Sequence, residues 1–67
     1  MNEKDGESLN RLLVDLLQLC NEERDKGRDY QERGLDDFAD MHYAASAAYS
    51  DAARRVRHAF EDQAKGD

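Results

Sequence analysis

The chain has no proline, no tryptophan and no isoleucine, and it has a single cysteine, Cys20. Without proline, nothing forbids a helix from running on for many turns. One cysteine excludes an internal disulfide framework and a zinc site built from cysteines. Long apolar runs are missing as well. The longest, Leu12-Leu13-Val14, is followed by Asp15 after one turn and never approaches the ~20 apolar residues that cross a bilayer. The start, Met1-Asn2-Glu3-Lys4-Asp5, is too polar for a secretory leader, so a cytoplasmic location is the expectation. Large aliphatic and phenyl side chains are scarce: Leu, Val and Phe supply 11 of 67 residues, low enough to make disorder a competing prior.

What the chain does contain is charge and alanine. Sixteen acids against ten bases give a net charge of −6, and nine residues are alanine. A chain of 67 residues is one domain at most, and too short to enclose an enzyme-sized pocket unless copies assemble.

From Leu9 the spacing is helical. Leu9, Leu12, Leu13, Leu16, Leu17, Leu19 and Cys20 recur every three or four residues and cover an arc of roughly 160°. Residues 1–7 read as a frayed polar lead, with Asp5 or Ser8 as the cap. Between Asn21 and Arg33 the only large apolar residue is Tyr30, and Gly27 interrupts. The pairs Glu22–Lys26, Arg28–Glu32 and Asp29–Arg33, each worth a few tenths of a kcal/mol, roughly offset the ~1 kcal/mol that a mid-helix glycine costs. Continuation to Arg33 is therefore expected over a charged loop from Gly27. Gly34 then suits the left-handed C′ position of a Schellman motif, with Leu35 resting on Tyr30. Asp36 can cap a second helix to about Ala64, with Gly66 beyond its end. Its expected apolar stripe includes Phe38, Met41, Ala45, Tyr49, Val56 and Phe60.

The fold class is thus all-α: a single helical-hairpin domain over 1–67, with helix one at about 8–33, a turn at 34–35 and helix two at about 36–64. Antiparallel pairing opposes residues whose numbers sum to roughly 69: Leu9 with Phe60, Leu13 with Val56, Leu16 with Ala53, Cys20 with Tyr49, and Gly27 near His42. The leucine arc is wider than one alanine-rich helix covers. A homodimeric four-helix bundle is expected, joined through Leu12, Leu16, Leu19 and Cys20.

Little in the chain reads as chemistry. Cys20 lies on the leucine face, where a thiol behaves as a small hydrophobe. His58 and Glu61, three residues apart, read as a solvated pair rather than metal ligands, and His42 lies too far along the same helix to join them. No catalytic constellation and no phosphate loop can be assembled, so a non-enzymatic protein without cofactor or metal is expected. Arg54, Arg55, Arg57 and His58 form a basic stretch that reads first as surface ion pairing. Tyr43 lies about 140° from Phe38 on the helical wheel, among Ala39, Ser46, Ala47 and Ser50. An aromatic on a platform of small residues is a plausible interface anchor. Asp36 and Asp40 near the turn would steer a basic partner towards it.

The helix Leu12-Leu13-Val14-Asp15-Leu16-Leu17, the segment Cys20-Asn21-Glu22-Glu23-Arg24, the turn Gly34-Leu35-Asp36-Asp37-Phe38-Ala39-Asp40 and the stretch Arg54-Arg55-Val56-Arg57 together resemble the short helical-hairpin inhibitors of temperate phages. The likeness is to those that act as quorum-sensing anti-activators. It implies a dimer that binds a LuxR-type transcriptional activator and blocks its access to DNA, with a pilus-assembly ATPase as a second target. An alternative resemblance is to Rop-type plasmid copy-number proteins, acidic hairpin dimers that bind paired RNA loops through helix one. The corresponding face here offers Asn10, Arg11 and Gln18, but also Asp15, which repels phosphate.

Overall fold

A computed structural model describes residues 3–66 of the protein, with side-chain surroundings for residues 3–62. Helix α1 spans Glu3–Glu32 and helix α2 spans Asp36–Gly66, packed against each other as a hairpin. The rod measures 51 × 16 × 10 Å. Gly27 lies within α1, as the run of charge pairs predicts. Both outer ends differ from expectation. Helix α1 starts at Glu3, so Asp5 and Ser8 are helical residues rather than caps, and Glu3 and Asp5 lie in the first turn, where the helix dipole favours acids. Met1 and Asn2, also placed in the frayed lead, lie outside the described residues. Helix α2 passes through Gly66 instead of stopping at Ala64.

The turn is a Schellman motif. Gly34 has φ +77°, its N–H donates to the Gln31 carbonyl at 3.0 Å, and the Leu35 N–H donates to the Tyr30 carbonyl at 2.9 Å. Two details depart from the sequence reading. The Leu35 carbonyl accepts from the Ala39 N–H at 3.0 Å, which makes Leu35 the N-cap and Asp36 the first helical residue. Tyr30 also has partners that the sequence reading did not give it: its ring stacks on Phe38 (centroids 5.5 Å apart) and on His42 (5.2 Å, 8° between planes).

The seam follows strict coiled-coil spacing. The residues of α1 that are not exposed are Gly6, Leu9, Leu13, Leu16, Cys20, Glu23, Gly27 and Tyr30, alternating steps of three and four. On α2 the matching stripe is Ala39, His42, Ser46, Tyr49, Ala53 and Val56. The predicted register holds at the open end, where Leu9, Leu13, Val56 and Phe60 line one apolar cleft of about 100 Å³. The predicted stripe of α2 holds in part: Tyr49 and Val56 lie on the seam, but the residues of its turn end do not. Phe38 and Met41 are 51% and 66% exposed, whereas Ala39 and Ala53 are 2% exposed and form the buried hydrophobic core. Helix α2 carries two apolar faces, and the smaller side chains of the second let the helices approach closely.

Gly27 fits that close approach. A Cβ there would lie 2.9 Å from the Tyr43 ring, inside van der Waals contact. Gly27→Ala should therefore destabilise the hairpin by about 1–2 kcal/mol, overpacking outweighing the gain in helix propensity. In a Tyr43→Ala background the same change should stabilise by about 1 kcal/mol. Urea melts of the four proteins check this reversal of sign. At Gly34 a Cβ meets nothing within 4 Å, so Gly34→Ala should cost only the left-handed backbone strain, about 1–2 kcal/mol in the same melts.

Candidate functional site

The upper half of the seam is polar where the lower half is apolar. Glu23 occupies a core position of α1 by spacing, and His42 faces it from α2. The Nδ1 of His42 lies 2.5 Å from Glu23 Oε2, and both side chains are largely covered. A carboxylate has no proton to give, so Nδ1–H donates. Lys26 adds a weaker contact to Glu23 at 3.7 Å, in place of the expected pair with Glu22, which accepts from Gln18 Nε2 instead. The hydrogen bond from His42, aided by Lys26 and opposed by desolvation, holds the Glu23 carboxyl below its usual value. One turn closer to the open end, Ser46 Oγ donates to the Cys20 carbonyl at 2.9 Å and lies 3.2 Å from Cys20 Sγ. The only hydroxyl proton of Ser46 is thereby used, so the thiol donates to Ser46. Periodicity did not reveal these pairs. The signal present in the sequence was Glu23 continuing the three-four spacing of Leu9, Leu13, Leu16 and Cys20.

The residues singled out as an interface fall on different sides of the hairpin. Tyr43 is half-buried on Gly27, and its hydroxyl donates to Gln31 Oε1 at 2.8 Å, so it belongs to the flank of the seam rather than standing clear of it. Ala39 faces α1 and is closed to any partner. Asp36, Asp40, Ala47 and Ser50 are exposed, and by helical geometry they share one side of α2 with the edge of Tyr43. On the same side of the rod, α1 exposes Val14 and Leu17.

The residues assigned to a dimer also divide. Leu16 and Cys20 are half-buried on the seam. Leu12 and Leu19 are exposed on the side opposite Val14, and Phe38 and Met41 are exposed on that same side of α2. Towards the open end, Asp51 accepts from Arg54 at 2.5 Å and from Arg55 at 3.0 Å, which lowers its carboxyl from the usual value. The basic stretch is therefore partly neutralised from within, as surface ion pairing predicts.

Among the described residues, no three His, Cys, Asp or Glu side chains come together as they would to hold a metal ion, and no helix is long and apolar enough to cross a membrane. No protein-family model, curated protein or solved structure matches the chain.

A depressed carboxyl stabilises the fold above its unfolded-state value and loses that contribution as pH falls. The contribution of the Glu23–His42 pair should thus be whole at neutral pH and be lost progressively below about 4.3, the value of a free glutamate, as pH falls towards the lowered value of the folded state. Thermal melts of the wild type should lose stability more steeply below that pH than melts of Glu23→Gln. Asp51 contributes acid sensitivity to both proteins, so the difference between them isolates Glu23.

Proposed function

We propose that the chain is a non-catalytic, homodimeric binding module that inhibits a bacterial regulator by covering its surface. The observation that carries this reading is the imbalance between core and exterior. Among the described residues, the buried hydrophobic core consists of Ala39 and Ala53, while eight large apolar side chains, including Leu12 at 45%, stay exposed. A two-helix rod with so little core gains its remaining stability from association. One apolar side, with Leu12, Leu19, Phe38 and Met41, is assigned to the second copy. The other, with Val14 and Leu17 beside Ala47, Ser50 and the edge of Tyr43, is assigned to the target.

The target side has an acidic end. Asp36 and Asp40 flank it near the turn, which suits a basic surface such as the DNA-contacting face of a transcription factor. The resemblance to phage hairpin inhibitors names the class: a LuxR-type activator, prevented from reaching DNA by steric occlusion. A pilus-assembly ATPase is the second target it implies. The setting is the bacterial cytoplasm.

The test is a mobility-shift titration of a purified LuxR-type activator on its operator. The chain should release the DNA, and Ala47→Arg should weaken that release at least tenfold while leaving the melting temperature unchanged. Undiminished inhibition by Ala47→Arg would remove this face from the reading. Retention of RNA that nuclease abolishes, with no effect on the activator, would transfer the protein to the Rop-type class.

A further inference from the structure

The open end of the seam is incompletely filled. Leu9, Leu13, Val56 and Phe60 surround the apolar cleft of about 100 Å³, and none of the four is fully buried. The Phe60 ring lies over Gly6, 3.8 Å from where a Cβ would stand, and the glycine has no side chain to reach into the gap. Asn10 and Arg57 complete the lining. By heptad position both stand on the side of the rod that carries Val14 and Leu17. The cleft therefore opens there, clear of the side assigned to the second copy.

Arg57 differs from the arginines before it. Arg54 and Arg55 share Asp51. Arg57 is exposed and makes no ion pair or hydrogen bond among the described residues, not even with Glu61 one turn on. The mouth thus sets one uncommitted guanidinium and one carboxamide beside an apolar hole. Such a lining suits a ligand with an apolar end to bury and a polar end to fix at the rim.

Charge narrows the class. The other ionic groups on this side of the open end are Glu3 and Glu7 on α1 and Arg54 and Glu61 on α2, while Arg11 lies round the back of α1. Glu7 and Glu61 stand farther from the seam than Asn10 and Arg57, and neither lines the cleft. A single guanidinium balances one negative charge, and the two acids a turn away disfavour a doubly charged phosphate. A carboxylate is a monoanion that a guanidinium can hold by two parallel hydrogen bonds. Size narrows the class further. An apolar cavity of about 150 Å³ accepts benzene, so one of about 100 Å³ suits a branched aliphatic end of roughly four carbons.

We propose that the cleft binds a small apolar monocarboxylate, its branched end among Leu9, Leu13, Val56 and Phe60 and its carboxylate on Arg57 and the Asn10 amide. The site does not depend on the second copy or on the regulator named above.

The test is a titration of the full chain with 4-methylpentanoate at neutral pH, followed by amide proton–nitrogen correlation spectra. Saturable shifts should centre on the segments that line the cleft, with half-saturation at about 1–10 mM, the range open to so small a ligand. Acetate, which has the head group alone, and 4-methylpentanamide, which has the tail without the charge, should each bind at least about fivefold more weakly. Arg57→Gln should weaken the acid by a similar factor and leave the amide unchanged; Arg57 is exposed, and the spectra of the variant report its fold directly. Acetate binding as well as the full acid would mean an adventitious ion only and would overturn the proposal. So would an amide that binds as well as the acid, or an affinity for the acid that Arg57→Gln leaves intact. Shifts centred away from the cleft, or no saturation in this range, would remove the site itself.

Discussion

The close approach of α2 to α1 along Ala39, Ser46 and Ala53 is the constraint on which the rest of this hairpin depends. Small side chains on one helix let the other bring Glu23, Cys20 and Gly27 within reach of polar and aromatic partners. At ordinary interhelical separation, the Ser46 hydroxyl would not reach the Cys20 carbonyl, and Tyr43 would not rest on Gly27. The same closeness leaves little room for large side chains at the levels of Ala39, Ser46 and Ala53. Bulk is therefore displaced to the outside, and the exposed Leu12, Phe38 and Met41 follow from the tightness of the seam.

The turn was the most legible part of the sequence, because its causes are local. A glycine after a charged helical run and before an apolar residue has few alternatives, and the hydrogen bonds of Gly34 and Leu35 follow the Schellman pattern residue by residue. The N-cap moved by one position, to Leu35, because the motif ending α1 already commits the backbone that begins α2. The register was also legible at the open end, where large residues meet across the seam and Leu9 and Leu13 share a cleft with Val56 and Phe60.

The face that α2 turns inward was legible only in part. Periodicity reports that a helix has an apolar side, and α2 has two of nearly equal character, so Tyr49 and Val56 were placed on the seam while Phe38 and Met41 were wrongly drawn into it. The choice is made by α1, whose seam turns polar above Leu16. Glu23 is satisfied by His42, Cys20 by Ser46, and the gap at Gly27 by the ring of Tyr43. None of the alternatives on the Phe38–Met41 side offers these groups a hydrogen-bond partner. For the same reason Tyr43 read as an isolated surface aromatic when it is a flank of the seam, and Ala39 read as part of an open platform when it is the floor of the core.

The contacts between the helices also imply an order of assembly. Tyr43 and Gln31 are 12 residues apart in the chain, His42 and Glu23 are 19, and Ser46 and Cys20 are 26. Each step towards the open end closes a longer loop, and the added entropic cost grows only slowly with length. A chain whose contacts lengthen in this way folds as a zipper from its turn, with low contact order and a correspondingly fast rate. The polar pairs that specify which faces meet are then formed before the leucines of the lower half engage. The least selective contacts close last, on helices whose rotation has already been settled.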